Sequence, residues 1–285
     1  MDLQALKIIL SRKKETHKFN FGHVLVIGGS SGMVGAPFLA ALSALRTGAG
    51  LVTIASSDEV IQKLEKRVLE IMTLSLPSNQ AESIEKILNF IKARKVNTVI
   101  YGPGIIDNID ILNSLIKEPN ICLVIDGGGL DQLKDNLDAL ENKDNSNIIL
   151  TPHLGEFARL INLKLEETVD IKKQAINFSN KYVLNIVLKS HKTIVMVNGN
   201  QIHEDGLGGP ELATAGSGDV LSGIIGGLVA QGMSPSTACI NGVYLHSLVG
   251  SLAKYDLTEP SVIASDLITY IPKAYKQIEN SFNSK

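Results

Sequence analysis

ATAGSGDVLSG, residues 213–223, places small residues and a single acid directly before an apolar run. The apolar residues that follow recur at helical spacing, namely Val220, Leu221, Ile224, Ile225, Leu228 and Val229. This periodicity predicts a helix. Gly216 to Gly218 are therefore predicted to form a tight turn at the N-terminus of that helix. Its free N–H groups would make an anion site.

Asp219 is an unusual residue for a plain phosphate site, because its charge would repel a bound phosphate. The acid makes sense as a general base that takes a proton from a hydroxyl, which then attacks a phosphoryl group. A second interpretation is that Asp219 only stabilises the positive end of the helix. The motif by itself leaves both interpretations open.

Short apolar runs recur upstream, separated by helical stretches, and each is predicted to be a strand. These runs cover residues 23–27, 51–55, 97–101, 121–126, 147–150 and 183–188, and a hairpin is predicted around Asn198-Gly199-Asn200. The runs are continuously apolar, as in strands buried on both faces. Strands alternating with helices predict an α/β fold with a mostly parallel sheet, whose ligands bind at the carboxyl ends of the strands.

Composition limits the function classes. The chain has 285 residues, 44% hydrophobic and 20% charged, with a net charge of −2. It has 5% aromatic residues, no Trp and no basic stripe, which argues against nucleic acid as a partner. Cys122 and Cys239 lie in apolar surroundings and are expected to be buried, reduced thiols. We expect an N-terminal helical extension (1–20), one domain (21–276) and a tail (277–285).

No membrane segment is expected. The N-terminus lacks the apolar core of a signal peptide. The apolar stretch 34–55 contains Arg46 and is interrupted by Pro37, Gly48 and Gly50, so it is predicted to be a helix (36–47) and a strand (51–55). We expect a cytoplasmic protein.

Two glycine-rich turns follow predicted strands. The turn that begins at Gly28 fails the dinucleotide fingerprint because Ser30 replaces its second glycine, and it also lacks the Gly-Lys pair of a P-loop. Asp58, just past the second strand, could imitate the ribose-binding acid of a dehydrogenase, which keeps an NAD-binding dehydrogenase as an alternative. Gly102-Pro103-Gly104 could be a ligand wall or an ordinary turn.

Titratable residues follow two later strands. His153 and Glu156 lie three residues apart before a predicted helix (157–163), where they could hold a metal-bound water or a substrate hydroxyl, or could simply cap the helix. The charged run 189–193 could reach a nucleotide phosphate or form a solvated hairpin turn. The remaining isolated histidines are expected to have a structural role or to lie on the surface, namely His17, His23, His203 and His246.

Taken in order, these motifs resemble the NAD(P)H-hydrate dehydratase family of the ribokinase-like superfamily. The resemblance covers roughly residues 20–275 and rests on residues 24–30, 35–37, 44–52, 102–104, 151–160 and 213–223. It implies a three-layer α/β/α sandwich with a mostly parallel central sheet. It also implies an enzyme that converts the S-epimer of hydrated NADH or NADPH (NADHX or NADPHX) back to NAD(P)H. ADP, or less favourably ATP, would donate the phosphate and yield AMP or ADP.

The resemblance also implies roles for individual residues. Asp219 would be the catalytic base, and the hydrate would lie near Ala36, Gly104, His153 and Asp219. Mg²⁺ would lie near Glu156 and be held through water. The residues implied to bind the nucleotide are Lys189, Ser190, His191, Lys192, Thr193, Gly216, Ser217 and Gly218.

The chain departs from the family pattern at three points. Asp126-Gly127-Gly128 stands where Asp-Ala-Asp is usual, Gly209-Pro210-Glu211 where Asn-Pro-Gly is usual, and Lys189-Ser190 where Lys-Gly is usual. The base is retained, so activity is expected.

Two further functions stay open as alternatives, a kinase of a small hydroxymethyl heterocycle and a non-catalytic nucleotide sensor. The resemblance also implies a homo-oligomer and functional pairing with a separate NAD(P)HX epimerase.

Overall fold

The computed structural model describes residues 3–105, 109–163 and 170–283. These residues form one nine-stranded sheet in the order β3-β2-β1-β4-β5-β6-β7-β8-β9. The strands are β1 (His23–Ile27), β2 (Leu51–Ser57), β3 (Met72–Leu76), β4 (Thr98–Tyr101), β5 (Cys122–Ile125), β6 (Ile148–Leu150), β7 (Asn185–Leu188), β8 (Thr193–Val197) and β9 (Asn200–Asp205). Strands β1 to β7 are parallel, and β8 and β9 are added antiparallel at one edge.

Helices cover both faces of the sheet. They are α1 (Leu3–Leu10), α2 (Gly35–Thr47), α3 (Asp58–Leu64), α4 (Gln80–Arg94), α5 (Ile109–Ile116), α6 (Gly128–Leu133), α7 (Leu154–Leu160), α8 (Ile171–Tyr182), α9 (Ser217–Ala230), α10 (Pro235–Leu257) and α11 (Ala264–Asn283). Short 3₁₀ helices lie at Lys18–Phe21, Lys134–Leu140, Pro210–Leu212 and Glu259–Ser261.

The sheet separates two hydrophobic cores. In β1, Val24 and Val26 face the core shared with α2, α9, α10 and α11, whereas Leu25 and Ile27 face the core shared with α4 to α8. All five residues of β1 are buried, which explains why the strand is apolar without alternation. The predicted three-layer α/β/α sandwich with a mostly parallel sheet is confirmed.

The predicted strands and the hairpin are confirmed, but four local predictions were wrong. Strand β3 was missed, because its half-buried alternation of Thr73 and Ser75 with apolar residues breaks the continuous pattern of the other strands. Helix α7 begins at Leu154 rather than at residue 157. Helix α9 begins at Ser217, so Gly218 lies inside the first turn of the helix and not in the turn before it. Strand β7 begins at Asn185, after Val183 in a left-handed conformation.

The first and last helices, α1 and α11, pack on the core shared with α2, α9 and α10. A tail was expected from residue 277, but α11 continues to Asn283 and Ile278 is buried. Leu6 of α1 is also buried in the core, so the expected N-terminal extension contributes to it. Cys122 and Cys239 are buried free thiols, as predicted, and burial raises the pKa of both.

Helices α2 and α9 lie unusually close together because α9 presents glycines to α2. A Cβ atom added at Gly223 would lie 1.9 Å from Ser43 Oγ and 2.2 Å from the Ala40 carbonyl oxygen. A Cβ added at Gly227 would lie 2.7 Å from the carbonyl oxygen of Ala44. Only glycine allows this approach, which holds the N-terminus of α9 in place above the sheet.

Within the part of the chain that the structure describes, no helix has both the length and the apolar character that a membrane crossing requires.

Candidate active site

Three neighbouring parallel strands end in polar residues at the same edge of the sheet. Asp126 follows β5, His153 lies three residues after the end of β6, and Lys189 follows β7. The backbone of Lys189 pairs with this region, donating from its N–H to the Pro152 carbonyl at 2.8 Å. Adjacent strands lie only about 4.8 Å apart, so these side chains meet.

Lys189 is the centre of the cluster. Its Nζ lies 3.0 Å from Asp126 Oδ1 and 3.6 Å from Glu156 Oε2. Burial by itself lowers the pKa of Lys189, but the carboxylates of Asp126 and Glu156 outweigh burial and raise the pKa above its ordinary value. The lysine therefore stays charged between two acids.

Asp219 stands in the first turn of α9, beside this ion pair. The turn is set by Gly216, which caps the helix with a φ of +87°. A Cβ added at Gly218 would lie 3.1 Å from Lys189 Nζ, so the helix N-terminus lies against the lysine. Burial and the charge of Asp126 raise the pKa of Asp219 to about 7, against the opposing effect of Lys189. A carboxyl group with that pKa is suited to general-base chemistry at neutral pH.

His153 and Glu156 cap helix α7 reciprocally. His153 Nδ1 accepts hydrogen bonds from the backbone N–H groups of Gly155 (3.0 Å) and Glu156 (3.2 Å). Glu156 Oε2 accepts from the backbone N–H of His153 at 2.7 Å. The capping interpretation is therefore correct. Because Nδ1 accepts these bonds, the ring carries its proton on Nε2, which lies 3.6 Å from Glu156 Oε2.

A cavity of about 840 Å³ opens next to the cluster. Of the residues implied to bind the nucleotide, those on its wall are Lys189, Ser190, His191, Thr193, Ser217 and Gly218. Lys192 is exposed on the turn between β7 and β8, and Gly216 lies just outside the wall at the start of α9. The charged run 189–193 thus contains the turn between β7 and β8 and also forms part of the cavity wall.

The rest of the cavity wall was predicted only in part. His153 lies on it, Ala213, Thr214 and Leu221 belong to the motif at 213–223, and Gly209 and Pro210 stand at one of the departures from the family pattern. The residues that were missed from the sequence are Asp205, Gly208, Leu212, Val243, His246 and Ser247. They lie in or after strand β9 or on α10, and no local pattern in the sequence joins them to the motif.

His246 was expected to have only a structural role, and the structure gives it a partner in the site. Its Nε2 lies 3.1 Å from Ser217 Oγ, so it supports the first residue of α9. Complete burial lowers the pKa of His246 to about 4, and the ring is therefore neutral at physiological pH. His246 thus positions Ser217 without adding charge to the cavity.

Ala36 and Gly104 form a second group at the ends of β1 and β4. Gly104 has a φ of +70°, and a Cβ added there would lie 3.2 Å from the Ala36 Cβ. Helix α2, which carries Ala36 in its first turn, packs along α9, and Leu39 of α2 lies against Gly216. The structure therefore brings Ala36 and Gly104 together and connects them to Asp219 through α2.

The three departures from the family pattern have local explanations. A Cβ added at Gly128 would lie 2.0 Å from the Ile105 carbonyl oxygen, so this backbone excludes an aspartate there. Glu211 is buried and accepts from the Gly209 N–H at 2.9 Å, which holds the cavity wall. Ser190 Oγ bonds to the backbone of Lys192 and closes the turn after β7.

Comparison with known proteins relates the chain to one family. A family model described as NAD(P)H-hydrate dehydratase matches residues 24–273. The chain is 34% identical over 281 residues to the ADP-dependent (S)-NAD(P)H-hydrate dehydratase of Lactococcus lactis, covering 96% of both chains. It is 34% identical over 279 residues to the bifunctional NAD(P)H-hydrate repair enzyme of Moorella thermoacetica, covering 94% of this chain and 52% of that protein.

The chain thus spans about half the length of the first curated relatives that it matches. A solved structure extends the similarity to the fold. The Bacillus subtilis ADP/ATP-dependent NAD(P)H-hydrate dehydratase, co-crystallised with ATP and Mg²⁺, superposes with a TM-score of 0.74 at 25% identity, over 94% of each chain.

Proposed function

The chain belongs to the NAD(P)H-hydrate dehydratase family, and from this premise we propose that it repairs hydrated NADH and NADPH by nucleotide-dependent dehydration. The substrate is the S-epimer of NADHX or NADPHX, and ADP is the favoured phosphate donor, with ATP as the alternative. The observation that carries the proposal is Asp219, whose pKa of about 7 places a base at a helix N-terminus beside Lys189 and a nucleotide-sized cavity.

The first step is phosphorylation of the substrate. Asp219 takes the proton from the hydroxyl group on the hydrated ring, and the oxygen attacks the terminal phosphoryl group of the nucleotide. The bond to the bridging oxygen breaks, and AMP or ADP leaves. The first-turn N–H groups of α9, which have no partner within a helix, stabilise the transferred phosphoryl group.

The second step is elimination. The carbon–oxygen bond to the new phosphate breaks, a proton leaves the neighbouring ring carbon, and the double bond of the dihydropyridine is restored. We place the ring near Ala36, Gly104 and His153, whose side chain is fixed by its hydrogen bond from the Gly155 N–H. Lys189 would help to balance the charge of the phosphates.

The described residues suit a magnesium ion that is held mainly by water molecules and by the phosphates of the nucleotide. They contain no group of three or more His, Cys, Asp or Glu side chains arranged around a common point. Mg²⁺ keeps several waters and binds nucleotide phosphates, so a single nearby carboxylate is sufficient. Glu156 would supply that carboxylate through water, and the ion would neutralise charge on the phosphates.

Two further proposals rest on the family. We propose a homo-oligomer, and functional pairing with an NAD(P)HX epimerase that supplies the S-epimer. The bifunctional name of the Moorella relative supports such a pairing of activities.

The experiment that tests the proposed function follows the absorbance of the dihydronicotinamide. Hydrated NADH is mixed with the protein, Mg²⁺ and either ADP or ATP. A rise that requires a nucleotide, and is faster with ADP, is the expected result. Nucleotide binding without any rise would overturn the proposal and favour a kinase of a hydroxymethyl heterocycle, whose phosphorylated product would then be sought.

A further inference from the structure

A second cavity, which we call the β2–β3 cavity, lies at the carboxyl ends of β2 and β3. Its volume is about 680 Å³, and its polar lining includes Asp58, Ser75, Ser78, Glu82 and Lys86. None of these residues takes part in the mechanism proposed above. The cavity therefore needs an explanation of its own.

A smaller cavity of about 180 Å³ lies beside it. The two cavities share Ser57, Pro77 and Ser78, and the smaller one also contacts Gly28, Gly29 and Ile105, the residue after Gly104. Gly29 in turn donates from its N–H to the Pro103 carbonyl at 2.8 Å, directly before Gly104. The chain is tightly packed at this point: a Cβ added at Gly28 would lie 2.3 Å from the Pro103 carbonyl oxygen, and one added at Gly29 would lie 2.9 Å from Val60 Cγ1.

The distance along this edge suits the second half of a dinucleotide. Gly104 follows β4, and the order β3-β2-β1-β4 places β2 and β3 two and three strands away. At about 4.8 Å per strand, the β2–β3 cavity lies about 10–14 Å from the end of β4. A hydrated dinucleotide whose ring lies near Gly104 must place its adenosine somewhere beyond the ring, and the β2–β3 cavity lies within that reach.

Asp58 is held as a hydrogen-bond acceptor at this cavity. Its Oδ2 accepts from Gln62 Nε2 at 2.6 Å, and its Oδ1 accepts from Ser75 Oγ at 3.1 Å. Each carboxylate oxygen has a further lone pair, so both can accept from a ligand hydroxyl. Asp58 and Glu82 contribute two negative charges to the lining and Lys86 one positive charge.

We propose that the β2–β3 cavity binds the adenosine half of the dinucleotide hydrate, and that Asp58 accepts hydrogen bonds from its ribose hydroxyls. The proposal rests on the proposed function. A 2′-phosphate would bring additional negative charge against Asp58 in a lining that is already net negative. The site therefore selects NADHX over NADPHX.

The test compares kcat and KM for NADHX and NADPHX in the wild type, Asp58→Asn and Glu59→Gln. Glu59 is the next residue of α3, is exposed and forms an ion pair with Lys63 at 2.6 Å, so Glu59→Gln matches the change of charge away from the cavity lining. We expect the wild type to prefer NADHX at least tenfold in kcat/KM. Asp58→Asn should reduce this preference about tenfold, chiefly through KM, whereas Glu59→Gln should keep it.

Hydrogen exchange of the wild-type protein provides a second measurement that is independent of any variant. NADH, the reaction product, should protect the backbone amides of residues 75–86. This inference is overturned if the three proteins show the same ratio of kcat/KM for NADHX and NADPHX, or if NADH does not slow hydrogen exchange at residues 75–86. Either result leaves the proposed function intact. Absence of turnover with either hydrate overturns both.

Discussion

Lys189 Nζ lies 3.0 Å from Asp126 Oδ1, and the first turn of α9 stands directly over this ion pair. The contact joins the ends of β5 and β7 across 63 positions of the chain. It also controls Asp219, because Asp126 raises the pKa of that carboxyl group and Lys189 lowers it. The charge balance of the cluster therefore affects the pH at which the Asp219 carboxyl group loses its proton.

Asp219→Asn should abolish most of the turnover and leave nucleotide binding intact, since it removes the base and keeps the shape of the side chain. Loss of a positioned general base costs about 10²–10⁴-fold in rate. Dehydration kinetics and calorimetric binding of ADP measure the two effects. Asp131→Asn, on the exposed start of α6, serves as the control. Unchanged turnover in Asp219→Asn would contradict the assignment.

The dehydration rate should depend on pH through Asp219. Its pKa is raised to about 7, so kcat/KM should rise with pH as the carboxyl group loses its proton, and level off above about pH 8. Lys189→Met removes the cation that lowers this pKa, and the midpoint should move upward by about one pH unit. Lys172→Met, in an exposed ion pair with Glu204, should leave the midpoint in place. A downward shift in Lys189→Met would be inconsistent with this electrostatic account.

Ionisation of the Asp219 carboxyl group should also lower the free energy of unfolding near neutral pH. Its pKa is about 7 in the folded protein and 3.8 ordinarily, so between these values the folded protein binds more protons than the unfolded chain. The free energy of unfolding therefore falls as pH rises through this window. Asp219→Asn should raise the free energy of unfolding by about 1–2 kcal/mol at pH 8, below the limit of about 4 kcal/mol for the full shift. It should have little effect at pH 4. Urea unfolding of both proteins at pH 8 and pH 4 measures this difference in unfolding free energy. Equal values for Asp219→Asn and the wild type at pH 8 would contradict the prediction.

Gly218→Ala should weaken nucleotide binding and keep the fold, whereas Gly223→Ala should lower the free energy of unfolding. The methyl group at position 218 would lie 3.1 Å from the flexible end of Lys189, where the phosphates approach, so the KM for the nucleotide should rise about tenfold while the fold is kept. At position 223 it would meet Ser43 Oγ at 1.9 Å and should cost about 1–3 kcal/mol in unfolding free energy. Nucleotide titrations and thermal melting measure the two effects. Equal KM values for Gly218→Ala and the wild type would disprove this placement of the phosphates.

Much of the fold could be predicted because buried parallel strands are continuously apolar and end in polar residues. Asp126, His153 and Lys189 each follow such a run, so their meeting at one edge follows from the sheet alone. Strand β3 escaped prediction because Thr73 and Ser75 interrupt its apolar pattern at the edge of the sheet.

The part of the 840 Å³ cavity wall that lies on α10 could not be predicted from local patterns. His246 reaches Ser217 across 29 positions, and only the packing of α10 on α9 brings them together. The same is true of Lys189. The charged run 189–193 predicts a phosphate contact, but nothing in that run indicates that Lys189 pairs with Asp126. Such contacts depend on tertiary structure, which leaves no periodic signal in the chain.

The close approach of α2 and α9 limits the amino-acid substitutions that these two helices can accept. Gly223 tolerates no side chain while Ser43 and Ala40 occupy the facing surface. A larger residue at position 223 therefore requires a compensating change at the facing positions of α2. The sizes of the residues at positions 40, 43 and 223 are therefore tied to one another, whereas the side chain of Lys192 is exposed and meets no such restriction.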